Sequence, residues 1–200
     1  FESLLEAAGE KPPPLFGRPS LLAAARGHIP EEVFERVGVY LNAVELLAER
    51  TAQMHILLAA EKGDPKFKPE SFTKFYQRSL YQSMRSLAVQ VLPQLEKRSA
   101  HLPEASRAGA ERILERKEEI MEAFGQLTRR KITGKRIRCH GDYHLGQVLN
   151  SGKDFIIVDF EGEPARPVSE RKIKRSPLRD VAGMLRSFHY AARSALVNEQ

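Results

Sequence analysis

The chain has 200 residues, of which 42% are hydrophobic and 29% are charged, and its formal net charge is +6. This composition is typical of a soluble globular protein with one or at most two compact units, and it excludes a disordered or fibrous chain. No apolar run approaches the roughly 18 residues that a membrane-spanning helix needs, and the single cysteine, Cys139, excludes an internal disulfide framework. We therefore expect a cytoplasmic protein.

Up to about residue 130 the sequence predicts helices. A lead-in punctuated by Pro and Gly covers residues 1–30, and apolar residues then recur at helical intervals over residues 31–61, as one long helix or as two joined near Gly38. Two further helices are predicted over residues 70–98 and 103–130.

Each predicted helix carries an apolar stripe that we expect to be buried. The stripe of the second helix contains Phe75, Leu87 and Val91. These stripes indicate packing and say nothing about chemistry.

The apolar period changes at Lys135 from that of helices to that of strands. The segments RIRCH, QVLN and DFIIVDF are short, apolar or β-branched, and separated by turn residues, so they predict three small strands. The helical period returns after Ser176, which suits a helix N-cap and is followed by Pro177. The predicted fold class is α+β and mostly helical, with a small β insert near residues 136–160.

Two aspartates stand at the edges of these short strands, Asp142 and Asp159, with the amide of Gln147 between them. Mg²⁺ prefers hard oxygen ligands and usually takes only one or two from protein, leaving the others to water and phosphates. Gln147 and Asp159 suit that role, and Asp142 could accept the proton of a hydroxyl that attacks a phosphoryl group. This set of residues predicts a phosphotransferase.

Lysine and arginine gather in two segments, residues 129–138 and 171–175. Both lie close in sequence to the two aspartates rather than along one helical face. A local anionic ligand explains this placement as well as a polynucleotide does, and solvated connector segments explain it equally. We expect neither a nucleic-acid nor a membrane partner.

The motif HGDYHLGQ resembles the HGDxHxxN signature of the aminoglycoside phosphotransferase-like branch of the protein-kinase-like fold, and IIVDFEG resembles its metal-binding strand. The longer strings HGDYHLGQVL, DFEGEPARPVSERK and SPLRDVAGMLRSFHYAA resemble bacterial maltokinases, and FYQRSLYQSMRSL resembles the form fused behind trehalose synthase. The resemblance runs from about Val33 to the end of the chain. It implies ATP-dependent phosphorylation of maltose to maltose 1-phosphate.

The resemblance implies a role for each motif residue. Asp142 would be the catalytic base for the sugar hydroxyl, and Gln147 and Asp159 would hold Mg²⁺ or Mn²⁺ beside ATP. Gln147 stands where most relatives have Asn, as in maltokinases, and it still offers one carbonyl oxygen to the metal. His140 would orient the loop rather than react. Asp180 would accept hydrogen bonds from the loop backbone, or would only place a favourable charge in a first helical turn.

For three further residues near the motif, the sequence leaves two possible roles open. His144, Glu161 and Glu163 would meet the sugar or tune the metal, or they would be structural or solvated.

The resemblance also implies parts that these residues do not supply. In this fold a strand Lys of an N-terminal lobe, paired with a helix Glu, holds the nucleotide phosphates. Residues 1–130 predict no such lobe, and the chain opens on Phe1 rather than Met. We therefore expect residues 31–200 to be a kinase-like C-terminal lobe that is a poor catalyst alone. The nucleotide-binding residues, further helices after Gln200 and a fused or associated trehalose synthase domain would lie elsewhere.

Two other classes compete with a sugar kinase. A non-catalytic helical binding or scaffold module of a larger enzyme is favoured by the long predicted helices. A metal-dependent phosphohydrolase using Asp142, Asp159 and a histidine is disfavoured, because the motif lacks the further carboxylates of a two-metal site.

Overall fold

The computed structural model describes residues 26–29, 31–60 and 64–198. The predicted lead-in, residues 1–30, lies outside the described residues except for 26–29. The chain forms two compact units, one from the residues up to Met54 together with Gly146–Val158, and one from His55–Leu145 together with the residues from Asp159 onward.

Helices make up most of the described chain. The α-helices are α1 (Glu31–Leu58), α2 (Lys74–Ser99), α3 (Glu104–Glu115), α4 (Lys117–Arg129), α5 (Val168–Arg171) and α6 (Leu178–Asn198). The strands are β1 (Glu70–Ser71), β2 (Lys135–Arg136), β3 (Val148–Asn150) and β4 (Phe155–Ile157), and single 3₁₀ turns cover Pro65–Phe67 and Leu145–Gln147. The prediction of a mostly helical α+β fold with short strands after residue 135 is confirmed.

The helix boundaries follow local chemistry that periodicity does not detect. Helix α1 has a non-helical residue at Val37 (φ −130°, ψ 20°), next to the junction predicted at Gly38. Helix α2 begins at Lys74 rather than residue 70, because the Thr73 hydroxyl accepts the backbone N–H of Tyr76 and caps the helix. The single helix predicted over residues 103–130 is wrong, since Arg116 leaves helical geometry (φ −100°, ψ 18°) between α3 and α4.

The predicted strands form two separate antiparallel pairs rather than one insert. In the second unit β2 pairs with β1, with Glu70 opposite Arg136. In the first unit β3 pairs with β4, with Val148 opposite Ile157. The two-residue strand β1 was not predicted, because two exposed polar residues carry no strand period.

An ion pair fixes the β3–β4 hairpin to α1 within the first unit. Arg50 donates from Nε and Nη2 to the two carboxylate oxygens of Asp154, at 2.6 and 3.1 Å. The hydrogen bonds from Arg50 are the largest cause that lowers the pKa of the Asp154 carboxyl below its ordinary value. The hairpin that follows Gln147 is thereby anchored to the helix.

In the second unit, α2 packs against α3 and α4. Gln77 is buried on α2 and donates to the carbonyl oxygens of Leu127 and Arg130 at 2.6 and 2.7 Å. These bonds satisfy carbonyl groups at the end of α4, which have no partner within their own helix.

Part of the predicted core is exposed. Phe75, Leu87 and Val91 of α2 are 82%, 61% and 48% exposed, so the prediction that this stripe is buried is wrong for these three residues. A period shows which residues share a face but not whether another element covers that face. None of the described helices has the length and apolar character needed to cross a membrane.

Candidate active site

The loop from His140 to Leu145 is anchored along one face of α6. Asp180 and Ser187 lie on that face, two helical turns apart, and accept backbone N–H groups of the loop. The carboxylate of Asp180 accepts from His140 at 2.9 Å and from Gly141 at 3.0 Å, and the Ser187 hydroxyl accepts from Leu145 at 3.1 Å. Helix α6 therefore positions both ends of the loop that carries Asp142.

Asp180 is a fully buried carboxylate, 1% exposed. Burial by itself raises its pKa, but hydrogen bonds from His55 and from the backbone of Gly141 and His140 hold that pKa below its ordinary value. His55 Nε2 lies 3.0 Å from the carboxylate, and because an ionised carboxylate only accepts, this nitrogen donates. The anchor is thus a carboxylate with three donors.

His140 is 1% exposed and packs its ring against Tyr143 and Phe160, with centroids 5.2 and 5.0 Å away. Its Nδ1 accepts the backbone N–H of Asp142 at 3.4 Å. A histidine with this burial can hold the loop in shape, and it lies too deep to meet a solvent-borne substrate.

Gly141 has φ of +91°, a conformation that side chains disfavour. A Cβ at this position would also lie 3.3 Å from the Cα of Gly162. The missing side chain therefore lets the Asp142 loop approach the turn that follows Asp159.

Gly183 is needed for a similar close approach. A Cβ there would lie 2.7 Å from the carbonyl oxygen of Tyr143, closer than real contacts allow, so the helix reaches the loop only because residue 183 has no side chain.

Gly183→Ala should lower the free energy of unfolding by about 1–3 kcal/mol, because the loop or helix must move apart. The matched control is Gly109→Ala in α3, where a Cβ meets nothing within 4 Å. Because alanine has the higher helix propensity, this substitution should raise the free energy of unfolding by about 0.5–1 kcal/mol. Urea unfolding of the full-length protein measures both. Equal effects of the two substitutions would contradict the close contact.

A groove of about 520 Å³ opens at Asp142. Its ionisable lining residues are Asp142, Tyr143, His144, Glu163, Arg179, Asp180, Arg186 and Tyr190. The Asp142 side chain is 26% exposed, and His144 Nε2 lies 3.9 Å from its carboxylate. A partly exposed carboxylate beside two arginines can meet both a hydroxyl group and an anion.

Arg179 was not predicted. Its Nη2 lies 3.5 Å from the carbonyl oxygen of Gly141, and burial, then the nearby Arg175 and Arg166, lower its pKa. An arginine remains charged in proteins, so Arg179 brings a partly desolvated positive charge to the groove.

Cys139 precedes this loop but is not a nucleophile. Burial first, and then the charge of Asp180, raise the pKa of its thiol to about 12. The thiol is therefore protonated at neutral pH, and only the thiolate attacks.

The remaining motif residues lie in different settings. Asp159 is exposed and has φ of +62°, a strained value that often marks functional positions. The Glu161 side chain is 80% exposed, with Arg171 at 4.0 Å, while Glu163 lines the groove. Gln147 belongs to the first unit, where its backbone carbonyl oxygen accepts the Val158 N–H at 3.0 Å.

Within the described parts of the chain, no cluster of three or more His, Cys, Asp or Glu side chains could hold a metal ion. Mg²⁺ bound with a nucleotide takes most of its ligands from phosphates and water. Asp159 and Gln147, each in its own unit, each offer a side-chain oxygen of the hard type that Mg²⁺ accepts.

In a complete sugar kinase of the kind that the motif resemblance implies, His55→Ala should cut turnover about 10–100-fold with little change in the KM for ATP, since small misplacement of a reacting group is costly. His55→Gln keeps an amide donor and should restore part of the rate. The control is His101→Ala, which removes an exposed histidine in the same unit. If His55→Gln were as slow as His55→Ala while both proteins unfolded at the wild-type temperature, the bond to Asp180 would not set the rate.

The phosphotransferase enzyme family, APH, matches residues 14–162. The chain belongs to this family. Its fold is the kinase-like fold of the aminoglycoside phosphotransferases, and the family prediction from HGDYHLGQ and IIVDFEG is confirmed.

Similar proteins are called glucosamine kinases. The chain is 27% identical over 147 residues to one from Streptacidiphilus jiangxiensis, and 44% identical over 54 residues to one from Mycolicibacterium smegmatis. These matches cover 74% and 26% of the chain, but only 30% and 13% of the two relatives. The chain thus spans less than a third of the curated relatives that it matches.

Solved structures show the same likeness. A glucosamine kinase in complex with glucosamine, ADP and inorganic phosphate is 26% identical, with a TM-score of 0.52 over 74% of this chain and 33% of that chain. Another crystal form of a glucosamine kinase is 27% identical, with a TM-score of 0.56 over 74% and 32%.

Sequence reasoning missed His55, Arg179 and Ser187. His55 is a single histidine on a helix, far in sequence from any motif, and nothing in the sequence pairs it with Asp180. Arg179 had a usable signal, because it directly precedes a predicted site residue.

Proposed function

We propose that the chain is the sugar-facing, C-terminal lobe of an ATP-dependent sugar kinase. The observation that carries this proposal is the partly exposed Asp142 on a loop anchored by the buried Asp180, in a chain of the phosphotransferase family. Phosphoryl transfer requires mostly positioning and charge stabilisation, and an anchored carboxylate in a groove provides positioning. The Lys that clamps nucleotide phosphates belongs, in this proposal, to another part of the enzyme.

Asp142 acts as the general base. The sugar hydroxyl oxygen forms a bond to the γ-phosphorus of ATP, the bond from that phosphorus to the leaving oxygen of ADP breaks, and the hydroxyl proton passes to the Asp142 carboxylate. Arg179 and Arg186 line the same groove and stabilise negative charge on the transferred group. Asp159 and Gln147 would hold Mg²⁺, which supplies neutralisation of phosphate charge when bound.

The acceptor that we propose is maltose, with maltose 1-phosphate as product and a trehalose synthase domain as the fused or associated partner. This choice is supported by the maltokinase-like strings between His140 and Ala192. A second candidate is glucosamine, which is favoured by the names of the relatives and by Glu163, a carboxylate in the groove that suits an ammonium group.

The test uses the complete enzyme that contains this chain, with Mg²⁺, ATP and a panel of sugars. ADP release and the phosphorylated product are both measured. We expect kcat/KM to be highest for maltose, with glucosamine and glucose as the comparison sugars. Glucosamine as the best substrate would overturn the acceptor but keep the kinase. Absence of sugar-dependent ADP release with every sugar would favour the non-catalytic helical module.

A further inference from the structure

The two basic segments of the sequence meet at one groove of the second unit. Ile137 and Arg175 exchange backbone hydrogen bonds of 2.9 Å in both directions, which places the two segments side by side. The basic residues that line the resulting groove of about 600 Å³ are Lys66, Arg136, Arg138, Lys172 and Lys174. We call this the basic groove. None of its lining residues lines the groove at Asp142.

Two of these cations, Arg136 and Lys174, are held in place by contacts with neighbouring protein groups. Arg136 stacks on the Tyr76 ring at 3.8 Å and donates to Glu70 at 2.7 Å. Lys174 lies 3.0 Å from the same carboxylate and donates to the Lys68 carbonyl oxygen at 2.6 Å. Their side chains are only 13% and 10% exposed, so this wall of the basic groove is rigid before any ligand arrives.

The charges of the basic groove are not balanced. Glu70 is the carboxylate among its lining residues, and it already pairs with Arg136 and Lys174. Over the described residues, the side chains of Arg138 and Lys172 have no hydrogen-bonding or ionic partner. Cations gathered in a concave, partly buried site repel one another and focus a positive potential, which an anion relieves.

We propose that the basic groove binds a small anion that carries phosphate. Arginine and lysine together recognise phosphate well, through planar paired donors and a compact charge. The volume is within the range of small-molecule sites, and Phe67 and Ile173 give apolar surface for a carbon skeleton. The proposal goes beyond the proposed function, since it concerns a second site that shares no residue with the first.

The experiment is isothermal titration calorimetry of the full-length protein with pyrophosphate and, separately, with glucose 1-phosphate. Saturating Mg²⁺ and a non-hydrolysable ATP analogue are present, so that a nucleotide site is already filled. The groove variant is Arg138→Gln with Lys172→Gln, which leaves the Glu70 network intact. The control is Lys97→Gln with Arg98→Gln at the exposed end of α2, with the same change of net charge.

We expect the groove variant to weaken binding of the better of the two ligands at least about tenfold, and the control by less than about twofold. Tighter binding of glucose 1-phosphate would identify a phosphorylated sugar as the ligand, and tighter binding of pyrophosphate an inorganic phosphate. Unchanged binding in the groove variant, or equal losses in both variants, would overturn the site. Binding of a short single-stranded oligonucleotide, without binding of either small ligand, would overturn the small-anion proposal in favour of a polyanion surface.

Discussion

In the full-length protein, Asp142→Asn should lower kcat by about 10²–10⁴-fold with maltose and ATP. The amide keeps the size and hydrogen-bonding reach of the carboxylate but cannot take the hydroxyl proton at neutral pH. Because Asp142 contacts the acceptor rather than the nucleotide in the proposed mechanism, the Kd of ATP should change little. Steady-state kinetics and a nucleotide titration measure these two quantities.

The control for this substitution is Asp64→Asn, which changes a half-exposed aspartate at the start of a 3₁₀ turn and does not line the groove at Asp142. It should leave turnover within about twofold, as surface substitutions usually do. Robust phosphorylation of a sugar by the Asp142→Asn protein would remove Asp142 from the mechanism. A large loss of ATP binding would instead place Asp142 on the nucleotide side.

The elements and the family were predictable because their signals are local. The change of period at Lys135 and the β-branched segments indicate strands without knowledge of their partners. The motifs HGDYHLGQ and IIVDFEG combine residue types that a phosphotransferase needs in a fixed order. The motifs establish the family but not the acceptor sugar. The relatives are named glucosamine kinases, whereas maltose is proposed from the longer strings.

The hydrogen bonds between Asp180 and the loop backbone were expected from the resemblance, whereas two other long-range contacts had no signal in the sequence. His55 and Asp180 are separated by 125 positions, and Arg50 and Asp154 by 104. Neither pair is marked by a motif, because the donor in each case is one polar residue on a helix. The fold brings the members of each pair together, because their elements pack against each other. The hydrophobic period of an element does not show which other element it packs against.

The basic segments show the same limit from another side. Their composition was visible in the sequence, but it left two explanations open, a local anionic ligand and solvated connector segments. The Ile137–Arg175 pairing decides that the segments share one groove. The bonds of Arg136 and Lys174 to Glu70 then distinguish these two fixed cations from Arg138 and Lys172, which have no such partner among the described residues. The sequence shows how many charged residues each segment has. Their positions relative to one another depend on how the β-bridge aligns the two segments.

Asp159→Asn should raise the Mg²⁺ concentration needed for half-maximal activity at least about tenfold. Loss of even an outer partner of a metal ligand typically costs about 10–100-fold in metal affinity, and we propose Asp159 as a direct ligand. The amide removes the negative charge that Mg²⁺ requires but keeps the size of the side chain. A Mg²⁺ titration at fixed ATP, with Mn²⁺ as a second ion, measures the effect.

Gln147, the second ligand that we propose for Mg²⁺, provides the comparison. Gln147→Asn keeps a carbonyl oxygen on a shorter side chain and should be milder than Asp159→Asn, whereas Gln147→Leu removes the oxygen and should again raise the Mg²⁺ requirement. Thermal unfolding of each variant without Mg²⁺ shows whether the change is confined to metal use. If Gln147→Leu left the Mg²⁺ dependence unchanged, Gln147 would not be a ligand. Asp159 would then have to share the ion with water and phosphates alone, a coordination that Mg²⁺ also accepts.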